Sequence, residues 1–496
     1  MPQRAKGLLL ACVAISMARA TDSAAQSAAD GSREQITVRS YDGRTMPAEV
    51  IRVTVPERRM APGRTIRLAA LRIPTTAEHP GRPIVFLMGG PGIPGSVMAP
   101  IPPYFTLFQS LRELADVVIP DQRGLGRSEP LVDCPVDKEP PTDLFLRRER
   151  IIQVIGDRVA SCAAQLRSKG IDPTAYNTIE SADDIEDLRK VLGAEQIDLL
   201  AFSYGSRLAL VYVQRHGDRV GRIVLQGVNG PGHVLKRPGP VARKLDRMAE
   251  VLRQDSTWRG TTDLRAAARA ARERLAQNPS RVTITDRRTG RQLNLVVGRD
   301  GFDALVGLNL DDARLPALLV SVAANDDRVL ARFAEAAWNG LAGGTVGLMA
   351  RAVNCAADRP DSRLETVRSE AATAPFGNPI DNAFLTDEFC RAVGYTAAPA
   401  EFAGHVTSSV PLLLLTGSLD ATNPLENAAE VARGFVNAVS LEVANAAHEA
   451  LPLRAVQEVV VDWFRGADVG GRRIAAPAPR FSSVEEAAAP APQHRR

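Results

Sequence analysis

The stretch IDLLAFSYGS, residues 197–206, determines our fold prediction. An almost uninterrupted apolar run leads into Ser203, and residues 207–215 follow it with helical spacing. Such a run is typical of a parallel strand that is covered on both faces. Ala201 and Gly205 flank the serine two residues away, and small residues suit a sharp turn in which backbones approach closely. The stretch predicts a strand, a tight turn that carries Ser203, and a helix. An isolated serine in this position could also be a helix N-cap, so the rest of the chain has to decide its role.

Further short apolar runs predict more parallel strands at residues 83–88, 117–120, 223–225, 410–415 and 439–443. Helical patterns separate them at residues 151–168, 181–192, 425–435 and 453–464. Upstream, apolar and polar residues alternate between turn signals over residues 35–74, which indicates antiparallel strands. The predicted class is α/β, with a mostly parallel central sheet and helices on both faces.

The spacing of these runs divides the chain. Residues 35–230 form the first part of the predicted core and residues 406–466 the second. The 231–405 stretch between them is far longer than a crossover needs, so it predicts an inserted domain, mainly helical with a hairpin near residues 282–297. We interpret this domain as a lid over the site. Residues 467–496 are rich in Ala, Pro and Arg without periodicity, so we expect a disordered tail.

The N-terminus has the pattern of an export signal. Arg4 and Lys6 precede an apolar run that ends in small residues, which predicts a signal peptide over residues 1–20 and a flexible segment over 21–34. We therefore expect an exported protein, periplasmic or secreted, with no transmembrane span. Cys12 offers the alternative of a lipoprotein anchor. With 61 basic and 57 acidic residues, the net charge of +4 gives no argument for a nucleic-acid partner.

Four cysteines remain after removal of the signal, an even number that suits disulfides in an exported protein. Three pairings are possible. We favour Cys134 with Cys162 and Cys355 with Cys390, since each closes a loop within one segment of the proposed architecture. No Cys or His spacing resembles a metal site, and no organic cofactor is implied.

A nucleophilic serine needs two backbone N–H groups to bind the oxyanion of the tetrahedral intermediate. Tyr204, the residue after the serine, supplies the first candidate. The sequence MGGPG, residues 88–92, directly follows a predicted strand, and because Pro91 has no N–H, Gly90 is the second candidate. The alternative is that this Gly-Pro cluster is only a turn.

The nucleophile also needs a base and an acid that orients the base. On a strand-turn-helix nucleophile site these follow the serine in the order acid, then histidine. Asp420 lies in the loop after the strand at 410–415, and His448 follows the strand at 439–443. His405 precedes the acid and is excluded by this order. We expect the other histidines, His233 among them, to be solvated.

These residues resemble the proline iminopeptidase and tripeptidyl aminopeptidase family of α/β-hydrolases. The resemblance is carried by the sequences GGPG at 89–92, DQRGLGRS at 121–128 and SYGS at 203–206, together with the acid and base segments. It covers residues 84–232 and 410–464 and implies the α/β-hydrolase fold with Ser203, Asp420 and His448 as its triad. The tripeptidyl branch, exported and with cysteines near these points, is the more similar. Met88 stands where iminopeptidases often have histidine, which argues against strict proline specificity.

The resemblance implies an aminopeptidase that acts on short peptides and has acidic lid groups that pair with the substrate ammonium. Candidate acids are Asp358, Asp387 and Glu388, each of which could also be an ordinary surface acid. Two alternatives stay open. A carboxylesterase could use the same triad on a small ester, and a binding protein could keep the fold without activity. Sequence gives neither the oligomeric state nor the number of residues released.

Overall fold

In the computed structural model, residues 31–490 are described apart from positions 62, 137, 381–389, 391–393 and 395–403. The predicted signal peptide and nearly all of the segment predicted to be flexible therefore lie outside the described residues. β1 begins at Ser32, within the last positions of that segment.

A ten-stranded sheet forms the centre of the molecule. The alternating segment near the N-terminus supplies its first three strands, and the apolar runs supply the strands that follow. The strands are β1 Ser32–Arg39, β2 Thr45–Pro56, β3 Thr65–Ile73, β4 Ile84–Leu87, β5 Val117–Asp121, β6 Ile197–Phe202, β7 Val220–Gln226, β10 Leu412–Gly417, β11 Ala438–Ala444 and β12 Ile474–Ala475. A separate antiparallel hairpin consists of β8 Ser280–Thr285 and β9 Gln292–Val297.

The strand order is β1-β2-β3-β5-β4-β6-β7-β10-β11-β12. The pairings of β1, β2, β3 and β5 in this row are antiparallel. From β5 through β12 every neighbouring pair is parallel. Parallel strands end at the same edge, so the loops after β4, β6, β7, β10 and β11 meet there. The sheet is mostly parallel, as predicted.

Helices cover both faces of the sheet because successive strand residues point in opposite directions. The helices of this part are α1 Pro102–Leu111, α2 Arg148–Ser168, α3 Thr178–Val191, α4 Tyr204–His216, α12 Leu425–Ala432 and α13 Arg454–Arg465. On β6, Leu199 belongs to one core cluster, which also takes residues from α2, α3 and α4. Leu200, its neighbour, belongs to a second cluster with residues from α1 and α13.

Between β7 and β10 the chain leaves the sheet. The described residues of this insertion form the β8–β9 hairpin and seven helices: α5 Gly239–Gln254, α6 Leu264–Gln277, α7 Arg299–Leu308, α8 Leu315–Ala323, α9 Arg328–Gly343, α10 Leu348–Cys355 and α11 Asp361–Ala371. Alanine-rich α6 packs on α8 through fully buried residues such as Ala268 and Leu318. Its apolar residues join the core cluster on the α4 face of the sheet.

The expectation of a disordered tail is wrong for residues 467–490. Ile474–Ala475 extends the sheet as β12, and Val484–Ala488 forms a further helix, α14. Ser483 caps α14 in a capping box with Glu486. Phe481 is 7% exposed, so even this alanine- and proline-rich segment buries a large apolar side chain. The last six residues lie outside the described part.

The four cysteines lie in the two predicted pairs. Cys134 is bonded to Cys162, and Cys355 is bonded to Cys390. The first pair joins the loop before α2 to α2 itself, and the second joins the end of α10 to a later position of the insertion. None of the described helices is long and apolar enough to cross a membrane.

Candidate active site

Ser203 occupies the predicted tight turn between β6 and α4. Its φ of 55° and ψ of −121° lie outside the regions that L-residues ordinarily adopt. The Ser203 backbone N–H donates to the Gln226 carbonyl on β7 at 2.9 Å, which ties the turn to the neighbouring strand. Such strain persists only where the surroundings fix it, and it places the side chain at the carboxyl edge of the sheet.

The small residues around the serine are required by close backbone contacts. A Cβ added to Gly205 would lie 2.0 Å from the carbonyl oxygen of Leu87, the last residue of β4. A Cβ on Gly89 would lie 2.6 Å from the Ser203 Cβ. The loop after β4 therefore runs directly against the serine. This confirms the steric reason for small residues in the turn, at Gly205 in particular.

The structure brings Ser203, His448 and Asp420 together from three separate loops. His448 Nε2 lies 2.9 Å from Ser203 Oγ, and His448 Nδ1 lies 2.8 Å from Asp420 Oδ2. The other carboxylate oxygen of Asp420 accepts the backbone N–H groups of Thr422 and Asn423 at 2.9 and 2.8 Å. The Asp420 side chain has no solvent exposure. In a neutral His448 ring with its proton on Nδ1, Nε2 is free to accept the serine proton.

The charges around His448 stabilise its protonated form more than water does for a free histidine. Burial acts to lower the pKa of the imidazole, but the charge of Asp420 and its hydrogen bond outweigh burial and raise the pKa above the ordinary value. Asp311 raises the pKa further, and Lys236 opposes it. A histidine with a raised pKa is a stronger base for the serine hydroxyl, provided that the pH is high enough to keep it neutral.

Two buried amides that the sequence analysis did not single out hold the loops in place. Gln226, at the end of β7, donates from Nε2 to the His448 carbonyl at 2.8 Å and accepts the Ala450 N–H at 3.3 Å. Asn423 donates from Nδ2 to the Gly227 carbonyl at 2.8 Å. Gln226 is a polar residue at the end of an otherwise apolar strand, and this pattern could have marked it in the sequence as a buried hydrogen-bonding group.

The loop after β4 contains Gly90, with a φ of 114° that favours glycine. In the described part of the chain, neither the Gly90 N–H nor the Tyr204 N–H has a hydrogen-bond acceptor. Asp121, from the DQRGLGRS motif, braces this loop by accepting the backbone N–H and the hydroxyl of Ser96 at 2.8 Å each. Gln122 donates to the Met88 carbonyl at 3.3 Å. The motif thus supports the loop that carries the candidate oxyanion donor.

Of the three candidate acids of the insertion, Asp387 and Glu388 lie outside the described residues. Asp358 is buried, and burial raises the pKa of its carboxyl despite the nearby Arg207 guanidinium. Among the residues that the structure describes, Oδ2 of Asp358 has no hydrogen-bond partner, and neither have Nε and Nη1 of Arg207. Asp358 makes no contact with the triad among the described hydrogen bonds and ion pairs.

The expectation that His233 is solvated is wrong. The ring is 2% exposed, its Nδ1 accepts the Gly230 N–H at 2.8 Å, and its Nε2 lies 2.8 Å from Glu430 Oε2. Burial lowers its pKa to about 4. His233 thus serves as a buried structural group. His405 lines a cavity beside His233, away from Ser203. Within the described part of the chain, no group of His, Cys, Asp and Glu could hold a metal ion.

A parallel sheet with a serine on a strained turn after β6, followed by an acid loop after β10 and a histidine loop after β11, defines a serine hydrolase of the α/β class. Consistent with this geometry, the family model of the alpha/beta hydrolase fold matches residues 82–455, and the chain belongs to that family. The predicted fold class and the predicted membership of the α/β-hydrolases are confirmed.

Named relatives match over shorter regions. The Escherichia coli protein YuaR is 30% identical over 167 residues, 33% of this chain and 31% of YuaR. The serine protease Hip1 of Mycobacterium tuberculosis is 29% identical over 178 residues, 34% of this chain and 33% of Hip1. The tripeptidyl aminopeptidase of Streptomyces coelicolor is 29% identical over 192 residues, 36% of this chain and 35% of that enzyme. The chain thus spans about a third of the length of each relative.

Proposed function

We propose that this chain is an exported serine aminopeptidase, which releases residues from the free N-terminus of short peptides. The proposal that the chain is a hydrolase rests on the hydrogen bonds that link Asp420 to His448 and His448 to Ser203. Peptide substrates are supported by the relatives named as a serine protease and a tripeptidyl aminopeptidase. Export is supported by the signal pattern and by the two disulfides, which suit an oxidising compartment.

The first chemical step is acylation. His448, oriented by Asp420, takes the proton of Ser203 as Oγ attacks the scissile carbonyl carbon. The N–H groups of Gly90 and Tyr204 donate to the oxyanion that forms. His448 then gives its proton to the leaving nitrogen, the C–N bond breaks, and the released peptide leaves with a new amino terminus. The acyl group stays on Ser203 as an ester.

The second step is hydrolysis of this ester. A water molecule loses a proton to His448 as its oxygen attacks the ester carbonyl, again with the oxyanion held by the two N–H groups. Collapse returns the proton from His448 to Ser203 Oγ and releases the carboxylic acid product. No group other than water and the chain's own side chains is needed to balance the reaction.

Aminopeptidase specificity requires a carboxylate for the substrate ammonium, because an unpaired buried ammonium is costly. We place this role on the insertion, whose candidates are Asp358, Asp387 and Glu388. The test replaces each with its amide. The variant that removes the true partner raises KM for a free peptide and leaves ester hydrolysis unchanged, whereas an acid with no such role changes neither.

The substrate class is tested with a tripeptide 4-nitroanilide, its N-acetylated counterpart and 4-nitrophenyl butyrate. Ser203→Ala is the control for background hydrolysis. Cleavage of the free peptide without cleavage of the acetylated one supports the aminopeptidase proposal. Cleavage of the ester alone contradicts it and favours a carboxylesterase. Failure of a fluorophosphonate probe to label Ser203 would favour a binding protein that lacks activity.

A further inference from the structure

A hydrogen bond between Asp311 and His448 joins the insertion to the loop that carries His448. Asp311 lies between α7 and α8, and its Oδ2 accepts the backbone N–H of His448 at 3.2 Å. Its other carboxylate oxygen, Oδ1, accepts a hydrogen bond from Lys244 Nζ on α5. One carboxylate of the insertion therefore bridges an insertion helix and the histidine of the candidate triad.

The His448 backbone is held from two sides. Its carbonyl accepts the Gln226 amide of the sheet at 2.8 Å, whereas its N–H donates to Asp311. The position of the backbone sets where the ring lies, and the ring must reach Ser203 Oγ and Asp420 together. A misplacement of about 1 Å can cost a catalytic group about a hundredfold in rate, so both anchors bear on catalysis.

Lys244 fixes the carboxylate of Asp311. The Lys244 side chain is 4% exposed, whereas that of Asp311 is 38% exposed. A buried ammonium requires a carboxylate partner, and the Asp311 loop supplies it. The requirement of Lys244 for a partner thus keeps the Asp311 carboxylate in place beneath the His448 N–H.

The C-terminal segment contacts both the strand that leads to His448 and the loop that carries Asp311. Ile474 pairs with Val443 of β11, the strand that leads to His448. Further along, the Ser482 N–H donates to the Ala313 carbonyl at 3.0 Å, two residues after Asp311. Helix α14 then packs on α8 and α9. The same segment therefore spans from the histidine strand to the Asp311 loop.

We propose that Asp311 is a positioning residue for His448, through which the insertion holds the catalytic loop in its working position. The inference rests on the proposed roles of Ser203 and His448. It adds to them a contribution from the insertion to the chemistry itself, separate from any part in substrate recognition.

The charge of Asp311 also raises the pKa of His448. Among the described residues, the charged side chains that shift the pKa of His448 most are Asp420 and Asp311, which raise it, and Lys236, which lowers it. The adjacent Glu449 directs its carboxylate to the Tyr104 hydroxyl at 2.6 Å. Removing the Asp311 charge therefore lowers the pKa of His448, so the imidazole stays neutral to lower pH and the acidic limb of the activity profile moves to lower pH.

The test is the pH dependence of fluorophosphonate labelling of the full chain, which reports on Ser203 and His448 whatever the natural substrate. Asp311→Asn can still accept the N–H but has lost the charge, so its acidic limb moves to lower pH. Asp311→Ala has lost the anchor as well, and we expect its maximal labelling rate to fall on the order of tenfold. Asp312→Asn is the matched control, because Asp312 pairs within its own loop with Arg314.

The outcomes separate this inference from the proposed function. If wild type and Ser203→Ala label alike, the proposed function fails. If wild type labels at Ser203 and folded Asp311→Ala keeps the wild-type maximal labelling rate, the positioning role of Asp311 is contradicted. If Asp311→Asn has the same pH profile as wild type and Asp312→Asn, the contribution of the Asp311 charge to the pKa of His448 is contradicted. Melting temperatures of all variants identify any that are unfolded. Recovery of the maximal rate in Asp311→Glu relative to Asp311→Ala supports the role, since a packing defect alone would not respond to a carboxylate.

Discussion

The replacement Asp420→Asn tests the proposed catalytic geometry most sharply, because the surroundings dictate how the new amide must lie. Oδ1 of Asp420 accepts two backbone N–H groups, from Thr422 and Asn423. An asparagine keeps these bonds only with its carbonyl oxygen in that position. Its NH₂ group then replaces Oδ2 and faces His448 Nδ1, now 2.8 Å from a donor.

The reversed polarity changes the tautomer of His448. To accept from the amide, Nδ1 must be deprotonated, so the neutral ring carries its proton on Nε2. That nitrogen lies 2.9 Å from Ser203 Oγ and can then only donate to it. The ring keeps its place but loses its function as base. We expect a fall in kcat of about 10⁴, equivalent to about 5 kcal/mol at 1.36 kcal/mol per decade.

The assay compares kcat and KM for wild type, Asp420→Asn and Ser203→Ala on the same chromogenic substrate, with thermal melting to verify folding. Asp312→Asn is the control for an aspartate-to-asparagine change in a neighbouring loop. KM should change little, because Asp420 is enclosed behind His448 and has no solvent exposure. A kcat within about tenfold of wild type for folded Asp420→Asn would refute the assigned roles of His448 and Asp420.

Three further outcomes follow from the packing. Gly205→Ala should abolish activity and lower the melting temperature, because its Cβ would lie 2.0 Å from the Leu87 carbonyl oxygen; a variant with wild-type melting would contradict the observed turn. Replacing both Cys134 and Cys162 by serine removes a disulfide of sequence separation 28 and should lower the free energy of unfolding by about 3–4 kcal/mol. Urea titration measures this loss, and no loss is expected if the two cysteines of the wild type are already reduced. Phe481→Ala should cost about 3 kcal/mol in the same titration, whereas no loss would mean that the C-terminal segment does not pack as observed.

The fold and the candidate triad could be predicted because both follow from short patterns of neighbouring residues. Buried parallel strands appear as apolar runs, and the residues that follow them meet at one edge of the sheet. Ser203, Asp420 and His448 each lie just after such a run, in β6, β10 and β11. Chain order then separated His448 from His405 without any knowledge of distances. The two disulfides could be predicted in the same way, because each joins cysteines that are near each other in the sequence.

Groups that depend on distant partners could not be predicted in the same way. His233 is buried because Glu430, 197 residues later, accepts its hydrogen bond. Residues 467–490 are ordered because short elements find partners already in place: β12 adds to β11, and α14 packs on α8 and α9. A two-residue strand and a five-residue helix have too little pattern to be recognised in a segment rich in alanine and proline.

Two basic side chains near the site constrain how an aminopeptidase could bind its substrate here. Lys236 donates to Asn423, beside the Asp420 loop, and burial together with the charge of Arg207 lowers its pKa to about 7 despite the opposing charge of Asp420. Arg207 is buried near Asp358 and contributes a further positive charge. A substrate ammonium bound at Asp358 would share that carboxylate with a guanidinium, and the repulsion between the two cations would weaken the attraction. An acid without a cationic neighbour would bind the ammonium more strongly. We therefore expect Asp358→Asn to raise the KM for free peptides only slightly.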